Sequence, residues 1–131
     1  MNLLLDTHIW IWSHLQRRKL STRVVRAIDD PRNVVWVSPI STWEITLLCE
    51  RGRLQLEDGP QTWIEKTIAL AGLREAPLTH EIALATCAIG LPHADPFDRL
   101  LAATALVHDF TLITADENLA RARQISFLIN R

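Results

Sequence analysis

Leu3-Leu4-Leu5, Val34-Val35-Trp36-Val37 and Thr111-Leu112-Ile113-Thr114 are short runs in which apolar and β-branched residues follow one another instead of alternating with polar ones. A strand of this kind has to be covered on both faces, which is the condition of a parallel sheet sandwiched between helices. Segments of helical character separate the runs: Thr7 to about Leu15, a stretch capped by Ser21 and reaching Ile28, Ser41 to Glu50, Pro60 to Ala71, Thr79 to Ala88, and Asp95-Pro96 to His108. Leu73 to Ala76 reads as a further short strand, Leu119 marks a short helix, and Ile125 to Leu128 reads as an edge strand. This order predicts a three-layer α/β/α sandwich around a mainly parallel central sheet. With 131 residues, 48% of them hydrophobic, the chain fits one domain.

Net charge is only −1, so no overall positive field draws the protein to nucleic acid or to an anionic membrane. The charge is uneven, however: residues 1 to 53 carry eight Lys or Arg against five acids, and residues 54 to 131 carry six against ten. Arg17, Arg18, Lys19, Arg23 and Arg26 form the densest basic group. It reads first as a solvated face and second as a phosphate-contact patch. Cys49 and Cys87 lie in apolar helical patterns with no CxxC spacing, which predicts reduced core residues of a cytoplasmic protein. The apolar start is interrupted by Asp6 far short of the roughly 20 residues a membrane span requires, so no membrane association is expected.

Four acids are placed where chemistry becomes possible. Asp6 and Asp116 follow the first and the last of the three apolar runs, while Glu44 and Asp98 fall in the first turn of expected helices. In a parallel sheet the carboxyl ends of the strands and the amino ends of the following helices share the edge where ligands bind. Each acid also has an ordinary structural reading. Ser41-Thr42-Trp43-Glu44 fits a capping box, Asp95-Pro96-Phe97-Asp98 fits an N-cap with proline and an acid behind it, and Asp6 and Asp116 suit turns or caps. Their common edge argues for a shared pocket.

Carboxylates about 4 Å apart repel by ~1 kcal/mol in water and by ~4 kcal/mol at an effective dielectric near 20. A cation therefore belongs among them, and an all-oxygen donor set suits Mg²⁺, or Mn²⁺ in its place. His8, His14, His80 and His108 lack the grouping of a zinc site or a catalytic triad and read as structural; His93, in the loop before Asp95, is the exception. Trp10, Trp12, Trp36, Trp43 and Trp63 occupy apolar positions and read as core. The four glycines form no phosphate-binding loop.

The segments Leu3-Leu4-Leu5-Asp6-Thr7-His8, Ser38-Pro39-Ile40-Ser41-Thr42-Trp43-Glu44-Ile45, His93-Ala94-Asp95-Pro96-Phe97-Asp98-Arg99-Leu100-Leu101-Ala102 and Leu112-Ile113-Thr114-Ala115-Asp116, in this order and spacing, resemble the PIN-domain nucleases. More narrowly, they resemble the VapC toxins of bacterial toxin–antitoxin pairs. The resemblance implies that Asp6, Glu44, Asp98 and Asp116 are metal-binding and catalytic acids, with Thr7, Thr114 and Asp95 in support. It also implies Mg²⁺-dependent cleavage of RNA and a cognate VapB-like antitoxin whose tail enters the cleft. Many relatives carry a lysine where Leu48 stands here, which turns attention to Arg51 and Arg53 for holding RNA.

Two other readings compete. Receiver-like phosphoacceptor domains also gather acids at strand ends, but they resemble one another in adjacent acids after the first strand and a late lysine. Here Asp6 stands alone and the lysines are Lys19 and Lys66. A non-catalytic PIN-fold binding module would not need acids at all four positions. A surplus of apolar helix faces makes a homodimer the expected assembly.

Overall fold

The computed structural model describes residues 1–91 and 95–131; the expectation for His93 falls outside them. Strands β1 (Asn2–Leu5), β2 (Val34–Val37), β3 (Arg74–Glu75), β4 (Thr111–Thr114) and β5 (Ser126–Ile129) form one sheet in the order β3-β2-β1-β4-β5. Every pairing is parallel, with Leu4 aligned to Trp36 on one side and to Leu112 on the other. Helices α1 (Thr7–Leu15), α2 (Thr22–Asp29), α3 (Pro39–Glu50), α4 (Gly59–Ala71), α5 (His80–Ala85) and α6 (Pro96–His108) provide the crossovers and cover the sheet.

Side chains alternate across each strand, so the sheet divides two cores. Leu4 and Leu112 pack with Ile82, Leu101, Ala102 and Phe110 under α5 and α6. On the other face Leu3, Leu5, Val35, Val37 and Ile113 meet Ile9, Trp10, Val24, Ile45 and Ile64 from α1 to α4. The three layers follow directly, because consecutive apolar residues give each strand an apolar side chain for both cores. Trp10 is fully buried, and its indole N–H donates to Thr67 Oγ1 at 3.0 Å.

Several boundaries differ from the sequence reading. Ser38 is the N-cap of α3, accepting from the Ile40 amide, with Pro39 in the first turn; the helix thus starts before Ser41. The Thr79-capped helix is α-helical only to Ala85 and tightens into a 3-10 turn over Thr86–Ala88. The expected strand over Leu73 to Ala76 pairs only at Arg74–Glu75, and the edge strand is shifted to Ser126–Ile129. Leu119–Arg121 is a 3-10 turn.

Two burial expectations are corrected. Trp43 is 57% exposed, because it lies two residues from both Ser41 and Ile45 and so about 200° around the helix from the buried face. Trp12, Trp36 and Trp63 are only partly buried. Cys49 is half-buried and Cys87 exposed, so neither is a core residue. Among the described residues, no helix is long and apolar enough to cross a membrane.

Candidate functional site

From β1 the chain runs outward to β2 on one side, while β4 and β5 lie on the other, so the strand order reverses between β1 and β4. The crevice beyond the carboxyl ends of two such strands is where open α/β sheets place their ligands. Asp6 follows β1 directly and Asp116 follows β4 by two residues. Asp6 caps α1, accepting from the Thr7 amide at 2.7 Å through Oδ1, while Oδ2 accepts from Thr114 Oγ1 at 2.6 Å. Its own N–H donates to the Ile113 carbonyl at 3.0 Å, tying the two strand ends together. Burial raises the Asp6 pKa above its ordinary value; Thr114, Thr7 and His8 pull it back, and Asp116 adds to the rise.

Asp98 lies in the first turn of α6, where Asp95 Oδ1 accepts from the Asp98 amide at 2.8 Å. Asp95 therefore supplies the cap, and among the described residues no hydrogen bond engages the Asp98 carboxylate. Half-buried, that carboxyl is pushed up to about 7, first by burial and then by Asp95, Asp6, Asp116 and Glu44. Each of the other three acids thus acts on Asp98 through space.

Glu44 sits one turn deeper in α3 than a capping box requires, so it does not cap the helix as its sequence setting predicts. Burial raises its pKa, opposed by the nearby Thr7 hydroxyl and His8, and augmented by Asp6 and Asp95. Asp116 does play the structural part expected of a turn residue: Oδ1 accepts from the Asn118 amide at 2.9 Å, and its own amide donates to Thr114 Oγ1 at 3.0 Å. Thr114 is consequently a bridge, giving its proton to Asp6 and receiving that of the Asp116 amide.

Two neighbours were not singled out by sequence. Ser41, fully buried, accepts from Thr7 Oγ1 at 2.9 Å and links the start of α1 to α3. The i, i+3 spacing of Ser41 and Glu44 puts them on one helix side, a signal masked by the capping-box reading. His8, expected to be structural, is exposed and near enough to lower the pKa of both Asp6 and Glu44.

A groove of about 740 Å³ opens beside the acids. Its lining includes Glu44, Asp95 and His8, the basic residues Lys19, Arg51 and Arg53, and Trp12, Leu47, Leu48 and Phe97. Arg51 and Arg53, expected at a substrate site, thus share a surface with Glu44. Elsewhere in the basic group, Arg17 is paired with Asp29 at 2.7 Å, and Arg23 and Arg26 are exposed on α2.

Among the described residues, no lysine or arginine appears among the main causes of the shifts of Asp6, Glu44 and Asp98, and the cluster offers oxygen donors. As oriented here, no three acidic, imidazole or thiol side chains among the described residues stand close enough to close on one ion. A Mg²⁺-class cation does not need three, because it keeps several waters and takes one or two carboxylates. The donor chemistry therefore fits a hard divalent cation.

Comparison with known proteins agrees with this architecture. The family model described as PIN domain matches residues 3–125. Ribonuclease VapC22 of Mycobacterium tuberculosis is 32% identical over an alignment of 124 residues, and the match covers 92% of each chain. Among solved structures, VapBC2 of Rickettsia felis bound to a promoter DNA fragment superposes with a TM-score of 0.74 at 15% identity, covering 100% of both chains. DNA-bound VapBC of Salmonella typhimurium gives 0.73 at 16% identity over 98% of both chains, and at these identities the likeness is one of fold. With a family match across nearly its whole length and a relative of this similarity, the chain belongs to the PIN domain family.

Proposed function

We propose that this chain is a metal-dependent endoribonuclease of the VapC type, hydrolysing RNA phosphodiester bonds and held in check by a VapB-like antitoxin. A curated relative over most of its length is a ribonuclease, and the fold neighbours come from toxin–antitoxin complexes. The observation that carries the chemical reading is the meeting of acids at the β1/β4 edge: Thr114 joins the Asp6 carboxylate to the Asp116 amide, and Asp6, Asp116 and Glu44, from three other parts of the chain, all act on the half-buried Asp98.

In this reading Asp6 and Asp98 hold a principal Mg²⁺, with Mn²⁺ able to replace it, and Asp116 and Glu44 complete a second site when substrate arrives. Bound there, the ion would lower the pKa of water and offset charge on the scissile phosphate. Thr7 and Thr114 fix the carboxylate of Asp6, the first by its amide and the second by its hydroxyl. Asp95 holds the first turn of α6 so that Asp98 faces its ligand without a competing cap role. No side chain has to form a covalent intermediate.

The test is cleavage of RNA by the purified chain with Mg²⁺ or Mn²⁺, with chelator, and after Asp98→Asn. Cleavage that needs the ion and disappears in the variant is expected, as is inhibition by the cognate antitoxin. Metal-independent cleavage, or full activity of the variant, would overturn the assignment.

A further inference from the structure

The groove beside the acids carries both signs of charge: Glu44 and Asp95 line it, and so do Lys19, from the 3-10 turn after α1, and Arg51 and Arg53, which follow the end of α3. Glu44 and Arg51 are seven residues apart, which along a helix is about 10 Å. Among the described residues these three cations take part in no salt bridge, whereas Arg17, Arg32 and Arg131 each have an acidic partner. Lys19 is also held in place: its Nζ lies 5.2 Å from the centroid of the Trp12 ring, which lines the same groove. A cation over an indole face loses less freedom on binding than a free lysine, and the contact itself is attractive. Gly52, between the two arginines, adopts φ 68°, a left-handed turn open to glycine, and both neighbours line the groove.

We propose that this groove is the path of single-stranded RNA away from the cleavage point, with Lys19, Arg51 and Arg53 contacting phosphates one or more nucleotides from the scissile one. The inference rests on the nuclease reading and adds to it a substrate-positioning role for Lys19. Phosphate chemistry explains why unpaired cations share one surface with the acids. The scissile phosphate belongs over the acids with the ion, and the flanking phosphates need cations of their own. Single strands fit better than duplex, because a flexible backbone can follow a groove whose cations track its phosphates. The basic residues of α2 do not line the groove and have no part in this path.

The test measures binding, separately from cleavage. A fluorescent single-stranded oligoribonucleotide is titrated with the wild-type chain in chelator, at several salt concentrations, and anisotropy is followed. Lys19→Ala and the double variant Arg51→Ala/Arg53→Ala should each weaken binding, together by roughly tenfold or more, and each lost contact should flatten the slope of log K against log salt by about 0.7. Lys19→Arg should retain both, while Arg23→Ala/Arg26→Ala should match wild type. With metal present the groove variants should raise KM and leave kcat near wild type. Should the wild-type chain cleave RNA while the groove variants keep wild-type affinity and slope, the proposed path is wrong and the groove is left to a protein partner. If the wild-type chain neither binds nor cleaves RNA, the nuclease reading fails first.

Discussion

A carboxyl group with a pKa near 7 is half-protonated at neutral pH, and Asp98 is in that position because burial and the neighbouring acids all oppose its charge. Its ordinary value is 3.8, so between about pH 4 and 7 the folded protein holds a proton that the unfolded chain has already released. Stability of the metal-free protein therefore falls as pH rises through that window. Asp6 and Glu44 are shifted in the same direction and act with the same sign. Asp98→Asn should abolish cleavage, leave the melting temperature in chelator unchanged or higher, and flatten its decline with pH. A clear drop in melting temperature would mark Asp98 as a structural residue instead. Divalent-ion affinity should itself rise up to about pH 7, since binding requires the carboxylate, and calorimetry at several pH values reads this directly. Thr114 is the other decisive residue, because its buried hydroxyl satisfies Asp6 and the Asp116 amide together. Thr114→Val should cost roughly 1–3 kcal/mol in denaturant unfolding, and Thr114→Ser should restore most of it.

Capping decides which acids are free for chemistry at the scale of single elements. Asp95 caps α6 through its side chain, and Asn caps a helix about as well as Asp. Asp95→Asn should thus preserve stability while Asp95→Ala lowers it by ~1 kcal/mol, and any loss of cleavage in the Asn variant measures the contribution of its charge. At the far end of the same helix Asp109 adopts φ 56°, a left-handed conformation, next to the negative end of the helix dipole. Asp109→Gly should stabilise the fold by up to ~1 kcal/mol without affecting cleavage, as thermal unfolding and a rate assay would show. These elements also show what could be read in advance. β1, β2 and β4 were legible to within one residue because runs apolar on successive positions have one stable solution, whereas β3, with exposed Arg74 and Glu75, is shorter than the expected Leu73 to Ala76 strand because its own residues carry no such signal. Ser38 and Ser41 are equally good caps by type, and the choice between them is made by Pro39 fitting the first turn and by the buried Thr7–Ser41 contact. That contact joins residues 34 positions apart, so local sequence could not reveal it.

Across the whole molecule, topology does what no single motif can. Five parallel strands in the order β3-β2-β1-β4-β5 bring the residues after β1 and β4 to the switch point, and the second turn of α3 and the first turn of α6 carry Glu44 and Asp98 to the same edge. The convergence of the acids was readable from pattern because parallel sheets always put those ends together. The partnership of His8 with two of the acids, and the meeting of Lys19 with Arg51 and Arg53 on one groove, were not, because they depend on how α1 and α3 lie against each other. The same dependence exposes Trp43, which rests 5.3 Å from Phe97 outside the core. The central claim is that this shared edge holds a hard divalent cation for RNA hydrolysis. Its most direct test is titration of the chelator-stripped chain with Mn²⁺, followed by calorimetry, alongside Asp98→Asn of verified fold. Saturable uptake by the wild-type chain, strongly weakened in the variant and competed by Mg²⁺, is the predicted result; no uptake by the wild-type chain, or equal uptake by both, would contradict it.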